Sequence, residues 1–510
     1  MRIWKAGRMP SGTLAAVIAI TALGVALRVA FATDSLNADE LSTRWIVSTN
    51  DLWGVVSMVH TDAEITPPLY FVLAWLTTLP GMTAGLLRAP ALLAGAAAMP
   101  LVFAIGLRTV GRRAALVATA LVALSPFLIF YSADARAYSL VVALTLLSTL
   151  AMLVAIDRPA TRWWVLYGAA SCAAVYSHYT AVFLLAGQLA WLLAFHPAAR
   201  RPALIANVAA AAAFLPWLSG LRGDLDSGTT DILFALEPFN AHTVRVSVTH
   251  WLIGYPPAGP ATGLRDLPGT LALALLALGL ILALAGVASQ LRARRPRPDA
   301  RLMLVVVLAA SVPLGELLVS AAGSNLLASG RNLAASWPGV ALALAALLVA
   351  GRRPLAIAAT ALTVGAFAIG AVKILGPDFR RPDYGAVADH IDSAAGPGDV
   401  VADRASISPA GVPPALSVAF GEPHRIFYPG RADVRYDPFR IVEFPEPLGD
   451  TVRRAAEAAS GGRLYLVAAA DFPQTDELLA AVPARFREIE RRRYRGSTAL
   501  ELYVFEDGAG

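Results

Sequence analysis

The sequence predicts a mostly α-helical, polytopic membrane protein with about eleven spans and a small α/β domain outside the bilayer. Three observations carry this. Of the 510 residues, 57% are apolar and only 15% are charged, a balance outside the range of soluble domains. Apolar runs of about 20 residues, the length needed to cross a bilayer, recur along the first three quarters of the chain. After about Leu375 the composition changes to charged and Pro-rich, with alternating helix-like and strand-like segments.

The apolar runs begin near Leu14, Ala89, Ala114, Tyr138, Trp164, Thr180, Ala203, Pro268, Leu302, Leu333 and Pro354. The first, within Met1 to Ala32, has a basic start like that of a signal peptide. It is too long for one and lacks a small-residue cleavage site, so it reads as a retained helix. A twelfth stretch, Pro67 to Leu79, is too short to cross comfortably. The basic clusters decide its place. Arg2/Lys5/Arg8, Arg112/Arg113, Arg158/Arg162, Arg200/Arg201, Arg292 to Arg301 and Arg352/Arg353 should all face the cytoplasm. Alternating spans satisfy all six only if 67–79 lies along the outer membrane surface, inside one long external loop, 33–87. Its aromatics Tyr70, Phe71 and Trp75 suit such a position. The N-terminus is then cytoplasmic in the plasma membrane. The division expected is a membrane module, 1–375, and an extracytoplasmic α/β domain, 376–510.

In that tail, Val400 to Ala402, Arg425 to Tyr428, Leu464 to Val467 and Leu500 to Val504 read as strands. Tyr384 to Ala395 and Thr451 to Ala459 read as helices. A second external segment, Arg222 to Leu267, is rich in Gly, Pro and aromatics. The net charge of +6 sits in short clusters at span ends rather than in a stripe, which is membrane topology and not a nucleic-acid footprint. Cys172, the sole cysteine, excludes disulfides and thiol-ligated clusters.

Ionisable groups at the membrane are costly, and in this topology they gather on the outer face. The first loop carries Asp34, Asp39, Glu40, His60, Asp62 and Glu64; later turns carry Asp134, Arg136 and Tyr138, then His178 and Tyr179, then Arg331. Asp39-Glu40 can serve as a general base toward an incoming hydroxyl, or Asp39 can simply cap a helix beginning at Glu40. Arg136 and Arg331 are outer-side cations that run against the positive-inside bias. An anionic headgroup would explain them, as would snorkelling or a local pair. His60 and Glu64 at helical spacing leave room for a divalent cation, although no closing ligand is evident and no metal or cofactor is assigned. Glu316 falls within a span, where a carboxylate is a functional candidate by default; pairing with Arg331 or a hydroxyl is the alternative. Asp224-Leu225-Asp226 matches a short metal pattern common by chance. No phosphate-cradling Gly loop or Ser/His/Asp spacing occurs.

Taken in order, several segments resemble the GT-C glycosyltransferases, especially family 39, which holds the protein O-mannosyltransferases and lipid A aminoarabinose transferases. They are Asp39-Glu40; Thr66-Pro67-Pro68-Leu69-Tyr70-Phe71; Leu87-Arg88-Ala89-Pro90 with Gly95 and Pro100; Ser125-Pro126 through Ala135-Arg136-Ala137-Tyr138; and Ser177-His178-Tyr179. The resemblance covers roughly the first 200 residues. It implies a GT-C fold and inverting transfer of a monosaccharide, mannose among the sugars allowed, from a polyprenyl-phosphate donor to an extracytoplasmic hydroxyl on a glycan, lipid or protein. It also implies Asp39 as base with Glu40 beside it; Arg136, Tyr138, Arg88 and Arg331 around the donor phosphate and lipid; and His60, Glu64, Tyr70, His178 and Tyr179 in the substrate pocket. Two departures leave the sugar open: Ile65-Thr66 stand where the family often has His before Pro-Pro, and Ala137 stands where it often has Met. The rival reading is a lipid or polysaccharide transporter or flippase. That reading expects polar residues through the spans and repeated halves; the spans hold mainly Glu316, Asn207 and Gln188.

Overall fold

The computed structural model describes residues 10–61, 63–227, 239–255, 263–291, 299–323, 329–406, 413–421, 425–427, 448–459, 461–470 and 475–508. The architecture is a bundle of apolar helices with a five-stranded sheet beside its loop-rich end. Helix α1 (Ser11–Phe31) is followed by three short helices, α2 (Ala38–Ser48), α3 (Leu52–Val59) and α4 (Leu69–Thr78). The bundle continues with α5 (Ala84–Thr109), α6 (Arg112–Leu124), α7 (Pro126–Ser132), α8 (Tyr138–Asp157), α9 (Thr161–Ser177) and α10 (Ala181–Phe195). It is completed by α11 (Pro197–Leu225), α12 (Ala241–Leu252), α13 (Arg265–Ser289), α14 (Ala300–Ala321), α15 (Gly330–Val349) and α16 (Arg353–Lys373).

Among the described residues, eight helices are long and apolar enough to cross a membrane, or nine if the bent pair α6–α7 counts as one span. The protein is a multi-pass membrane protein. The two remaining expected spans are α9 and α10, of 17 and 15 residues, separated by the break at His178. Helix α4 has ten residues; at about 1.5 Å per residue it covers roughly half of a 30 Å hydrocarbon core.

The bend in α6–α7 is 58° and has a local cause. Pro126 has no N–H to return to the preceding turn, and the Phe127 N–H bonds Gly254 O instead (2.9 Å). The carbonyls of Val122 and Ala123 are taken by the buried Arg28 of α1, through Nη2 (3.0 Å) and Nη1 (3.1 Å). Arg28 Nε donates to Ser132 Oγ (3.0 Å). A charge inside a bundle is thus covered by backbone acceptors that a proline released. Gly95 permits the approach, because a Cβ there would lie 2.2 Å from Ser132 Oγ and 3.1 Å from Arg28 Nε.

After α16 come helices α17 (Tyr384–Ala394), α18 (Ala415–Ala419), α19 (Leu448–Ala458) and α20 (Thr475–Ala480), with strands β1 (Val400–Arg404), β2 (Arg425–Phe427), β3 (Arg463–Ala469), β4 (Phe486–Tyr494) and β5 (Leu500–Asp507). The sheet order is β2-β1-β3-β5-β4. β1 is parallel to β2 and β3, whereas β5 is antiparallel to β3 and β4. Four strands coincide with the sequence expectation; Tyr428 lies outside the described residues. β4 is an addition: FREIERRRY shows no apolar alternation because it is an edge strand that exposes most of its side chains, a common protection of open sheet edges. One sheet face packs on α19 through Val452, Ala455 and Ala456. The other packs on α17 and α18, and there Leu41 of α2 joins the cluster. Helix α2 is therefore held between the sheet and the bundle.

Gly95→Val is expected to lower stability by about 1–3 kcal/mol through overpacking, read as a lower thermal midpoint of the purified protein. Gly85→Ala, at a position with open space around it, should leave the midpoint unchanged.

Candidate active site

The site is built from the start of α2. Asn37 caps this helix: its Oδ1 accepts from the Glu40 N–H (2.9 Å), and Glu40 Oε2 accepts from the Asn37 N–H (3.1 Å), a reciprocal capping box. The cap is thus Asn37 rather than Asp39, and the helix begins two residues earlier than the sequence suggested. Consecutive helical residues project about 100° apart, and the two carboxylates have different fates. Asp39 is about half exposed, at 48%, and Glu40 is sealed, at 0%.

Glu40 is bound by a converging set of donors. Arg88 gives it a two-pronged pair, Nε to Oε1 and Nη2 to Oε2, both 2.7 Å. Arg381 Nη1 lies 2.7 Å from Oε2, and the Ala135 N–H donates to Oε1 (2.8 Å). Burial raises the Glu40 pKa, but Arg381 and Arg88 outweigh it and bring it down to about 2. Arg381 also bonds Asp134 (2.9 Å) and the Phe130 carbonyl, and its guanidinium lies over the Phe130 ring at 4.6 Å. Burial holds the Asp134 pKa above its ordinary value despite Arg381.

Arg88, expected around the donor phosphate, is fully buried. Its N–H groups go to Glu40 and to the carbonyls of Ala32, Asp34 and Ser35. Arg381, which sequence reasoning missed, stands in a tail that carries many arginines; only its place right after the last span sets it apart.

Above this sealed layer lies a more open one. Arg331 Nη1 donates to Asp39 Oδ2 (3.0 Å), and its guanidinium lies over the Tyr138 ring (5.9 Å). Arg136 grips Glu64 through both Nη atoms, at 2.5 and 2.8 Å, and lies over Phe71 (5.6 Å). Glu64 is further fixed by the Ile65 N–H and Thr66 hydroxyl, each 3.0 Å. Burial raises the Asp39 pKa, but Arg331 and Arg136 pull it below its ordinary value. Tyr138 packs on His178, ring centroids 5.6 Å apart, and His178 Nδ1 meets the Thr180 hydroxyl at 2.9 Å. Burial, reinforced by Arg331 and Arg136, pushes His178 down to about 4. The structure therefore gathers Asp39, Arg136, Arg331, Tyr138, His178 and Glu64.

The other expected residues turn elsewhere. Tyr70 is fully buried and donates to the Leu87 carbonyl (3.0 Å). Tyr179 bonds Asp224, and the Trp217 indole donates to its hydroxyl (2.9 Å). His60 meets the Ser219 hydroxyl (3.0 Å) and packs on Trp217. The proposed sharing of a helix face by His60 and Glu64 does not occur: α3 ends at Val59, His60 terminates it, and Glu64 is committed to Arg136. Asp62 lies outside the described residues, among which no group of three or more His, Cys, Asp or Glu side chains is placed to hold a metal ion. Glu316 is fully buried in α14, and neither carboxyl oxygen has a hydrogen-bond partner among the described residues; Arg331 pairs with Asp39 instead.

The depressed His178 pKa has a consequence for stability. The unfolded chain takes up this proton first, so stability is intact above pH 6.5 and declines as pH falls from 6.5 toward 4. Between pH 7 and 5 the expected loss is about 2 kcal/mol, read as a falling thermal midpoint, and His178→Gln should flatten that slope. Glu40 acts at lower pH: its contribution is present above 4.5 and lost between 4.5 and about 2.

Residues 65–219 match the sequence profile of a family described as dolichyl-phosphate-mannose-protein mannosyltransferase. No curated protein matches by sequence. Among solved structures, the chain is similar to ArnT from Cupriavidus metallidurans bound to undecaprenyl phosphate, with a TM-score of 0.54, 12% identity, and coverage of 97% of this chain and 98% of that one. It is also similar to the Archaeoglobus fulgidus oligosaccharyltransferase tethered with an acceptor peptide, with a TM-score of 0.53, 12% identity, and coverage of 90% and 69%. At such identity the likeness speaks for the fold, and it bears out the resemblance read from the sequence: the chain has the GT-C glycosyltransferase fold.

Proposed function

We propose that this protein is a glycosyltransferase that moves a monosaccharide from a polyprenyl-phosphate carrier to an extracytoplasmic hydroxyl, with inversion. The observation that carries the reading is the half-exposed Asp39 carboxylate beside Arg331, with Arg136 adding its field. Asp39 accepts the proton of the acceptor hydroxyl as that oxygen attacks the anomeric carbon. The bond from that carbon to the phosphate oxygen breaks on the opposite face. The leaving phosphate gathers negative charge, which Arg136 and Arg331 stabilise electrostatically. The Glu64 clamp on Arg136 and the Tyr138 face beneath Arg331 limit reorientation of both guanidiniums. Arg88 and Glu40 act one layer down, fixing the loop that presents Asp39.

The carrier class is supported by the neighbours: the ArnT structure holds undecaprenyl phosphate, and the archaeal oligosaccharyltransferase AglB has been seen with a dolichol-phosphate. The profile name suggests mannose. The transporter reading is weakened by the local satisfaction of two of the three polar span residues, Glu316 being the exception. Gln188 bonds Thr149 and Ser148, and Asn207 bonds the Tyr167 hydroxyl and the Ala203 carbonyl. We further propose the orientation argued from the basic clusters, with a cytoplasmic N-terminus, and the division into a membrane module, 1–375, and an extracytoplasmic domain, 376–510.

In a reconstituted assay with polyprenyl-phosphate sugars, Asp39→Asn should lower kcat/KM by about 10²–10⁴ with an unchanged thermal midpoint, and Arg136→Ala should raise the KM for donor. Normal turnover by the Asp39 variant would remove the base. Because Arg331 and Arg136 hold the Asp39 pKa below its ordinary value, the base stays ionised across neutral pH, and the rate should be flat there and fall only on the acid side. Orientation is checked in a Cys172→Ser background. Cysteines at the exposed positions Leu79 and Arg487 should both be labelled by an impermeant maleimide added to intact cells; labelling only after lysis overturns the topology.

A further inference from the structure

A polar cleft separate from the Asp39 layer opens between the first loop and the chain that follows the last span. It is a cavity of about 340 Å³ whose lining includes Thr33, Asp34, Ser35, Arg380, Asp383 and Arg495. That volume lies within the range of small-molecule sites. Its walls are fixed. The Ser497 N–H donates to the Arg380 carbonyl (2.6 Å), and a Cβ at Gly496 would lie 3.0 Å from the Arg381 carbonyl, which seats the β4–β5 turn against the other wall.

Beyond Arg381, the two carboxylates and two guanidiniums of the cleft balance in charge but are not paired alike. Asp34 pairs with Arg380, Asp383 caps α17 by accepting from the Ala386 N–H (3.0 Å), and Arg381 is committed to Glu40 and Asp134. Arg495 is exposed and forms no ion pair or hydrogen bond among the described residues. Two buried polar atoms on lining residues also lack partners there: Asp34 Oδ2, an acceptor, and Arg381 Nε, a donor. Both side chains are at least nine-tenths buried, where an unanswered polar atom is costly. A hydroxylated ligand offers a donor to the first and an acceptor to the second, and an anionic group on the same ligand offers a partner to Arg495.

We propose that this cleft binds a sugar unit carrying one anionic group, as an acceptor-side subsite. The acceptor role rests on the transferase reading above; the binding itself does not. The test uses the full-length protein in nanodiscs, with glucuronate, glucose and inorganic phosphate as probes, followed by saturation-transfer NMR and competition. Glucuronate should saturate, phosphate should compete with it, and glucose should bind at least about tenfold more weakly, a factor of the size expected for a charge-assisted hydrogen bond. Arg495→Gln should weaken glucuronate by a similar factor, whereas Arg136→Ala should leave it unchanged. The proposal is overturned if glucuronate does not saturate, if phosphate alone binds, if glucose binds as well as glucuronate, or if binding survives Arg495→Gln. Loss of binding on Arg136→Ala alone would place the sugar acid in the Asp39 layer and overturn it too. An active Asp39→Asn enzyme, by contrast, would end the transferase mechanism and leave glucuronate binding untouched.

Discussion

The buried carboxylate of Glu40 is the constraint from which the rest of the loop-rich end of the bundle follows. Taking an ion out of water costs several kcal/mol, and the chain answers it with Arg88, Arg381 and the N–H groups of Asn37 and Ala135. Each donor comes from a different part of the sequence: the start of α2, the head of α5, the turn before α8 and the segment after α16. Removing one partner from such a set typically costs about 3–5 kcal/mol, because a charge is left buried and uncompensated. Glu40 therefore fixes four segments relative to one another. Asp39, one residue away on the helix, inherits its position from that bond set.

Two layers with different physics result. In the lower layer, Glu40 and Asp134 face Arg88 and Arg381, formally neutral, and the side chains are almost wholly removed from solvent. In the upper layer, Asp39 and Arg331 retain exposure, and their attraction is correspondingly weaker. A pair that is weakly held and partly wet can be rearranged by an incoming phosphate. A pair that is sealed cannot. The sealed set and the Asp39–Arg331 pair thus differ in exposure, although both are built from the same residue types.

Much of this was legible in the sequence. Span length and apolarity located the helices, and α4 is as short as its apolar run suggested. The ordered set from Asp39 to His178 pointed to the fold. Legibility failed where a residue's role depends on a distant partner. Arg88 and Arg136 are both arginines near the start of a long apolar helix, yet one is sealed against Glu40 and the other grips Glu64, and neither partner lies nearby in sequence. Arg28 falls within an apolar run, and its cover of carbonyls released near Pro126 exists only once α1 and α6 are packed. β4 was missed because an edge strand takes its composition from solvent rather than from a core. The capping box at Asn37 has the pattern Asn-x-x-Glu, but Asp39 two residues on is itself a favoured cap, so the sequence alone offers two starts for α2.

The position of Arg381 bears on how the molecule is made. Glu40 emerges early in synthesis with Arg88 close behind, while Arg381 appears only after the last hydrophobic helix has left the ribosome. At about 5–20 residues per second, the nascent loop waits on the order of tens of seconds for its second counter-ion. During that interval Glu40 and Asp134 share one fewer cation than the finished protein gives them. A chain released before residue 381 would carry every candidate span among the described residues and still lack the bond that closes the Glu40 layer. Cells that survey unfinished membrane proteins would meet in such a fragment a loop held half open by its own unanswered charge.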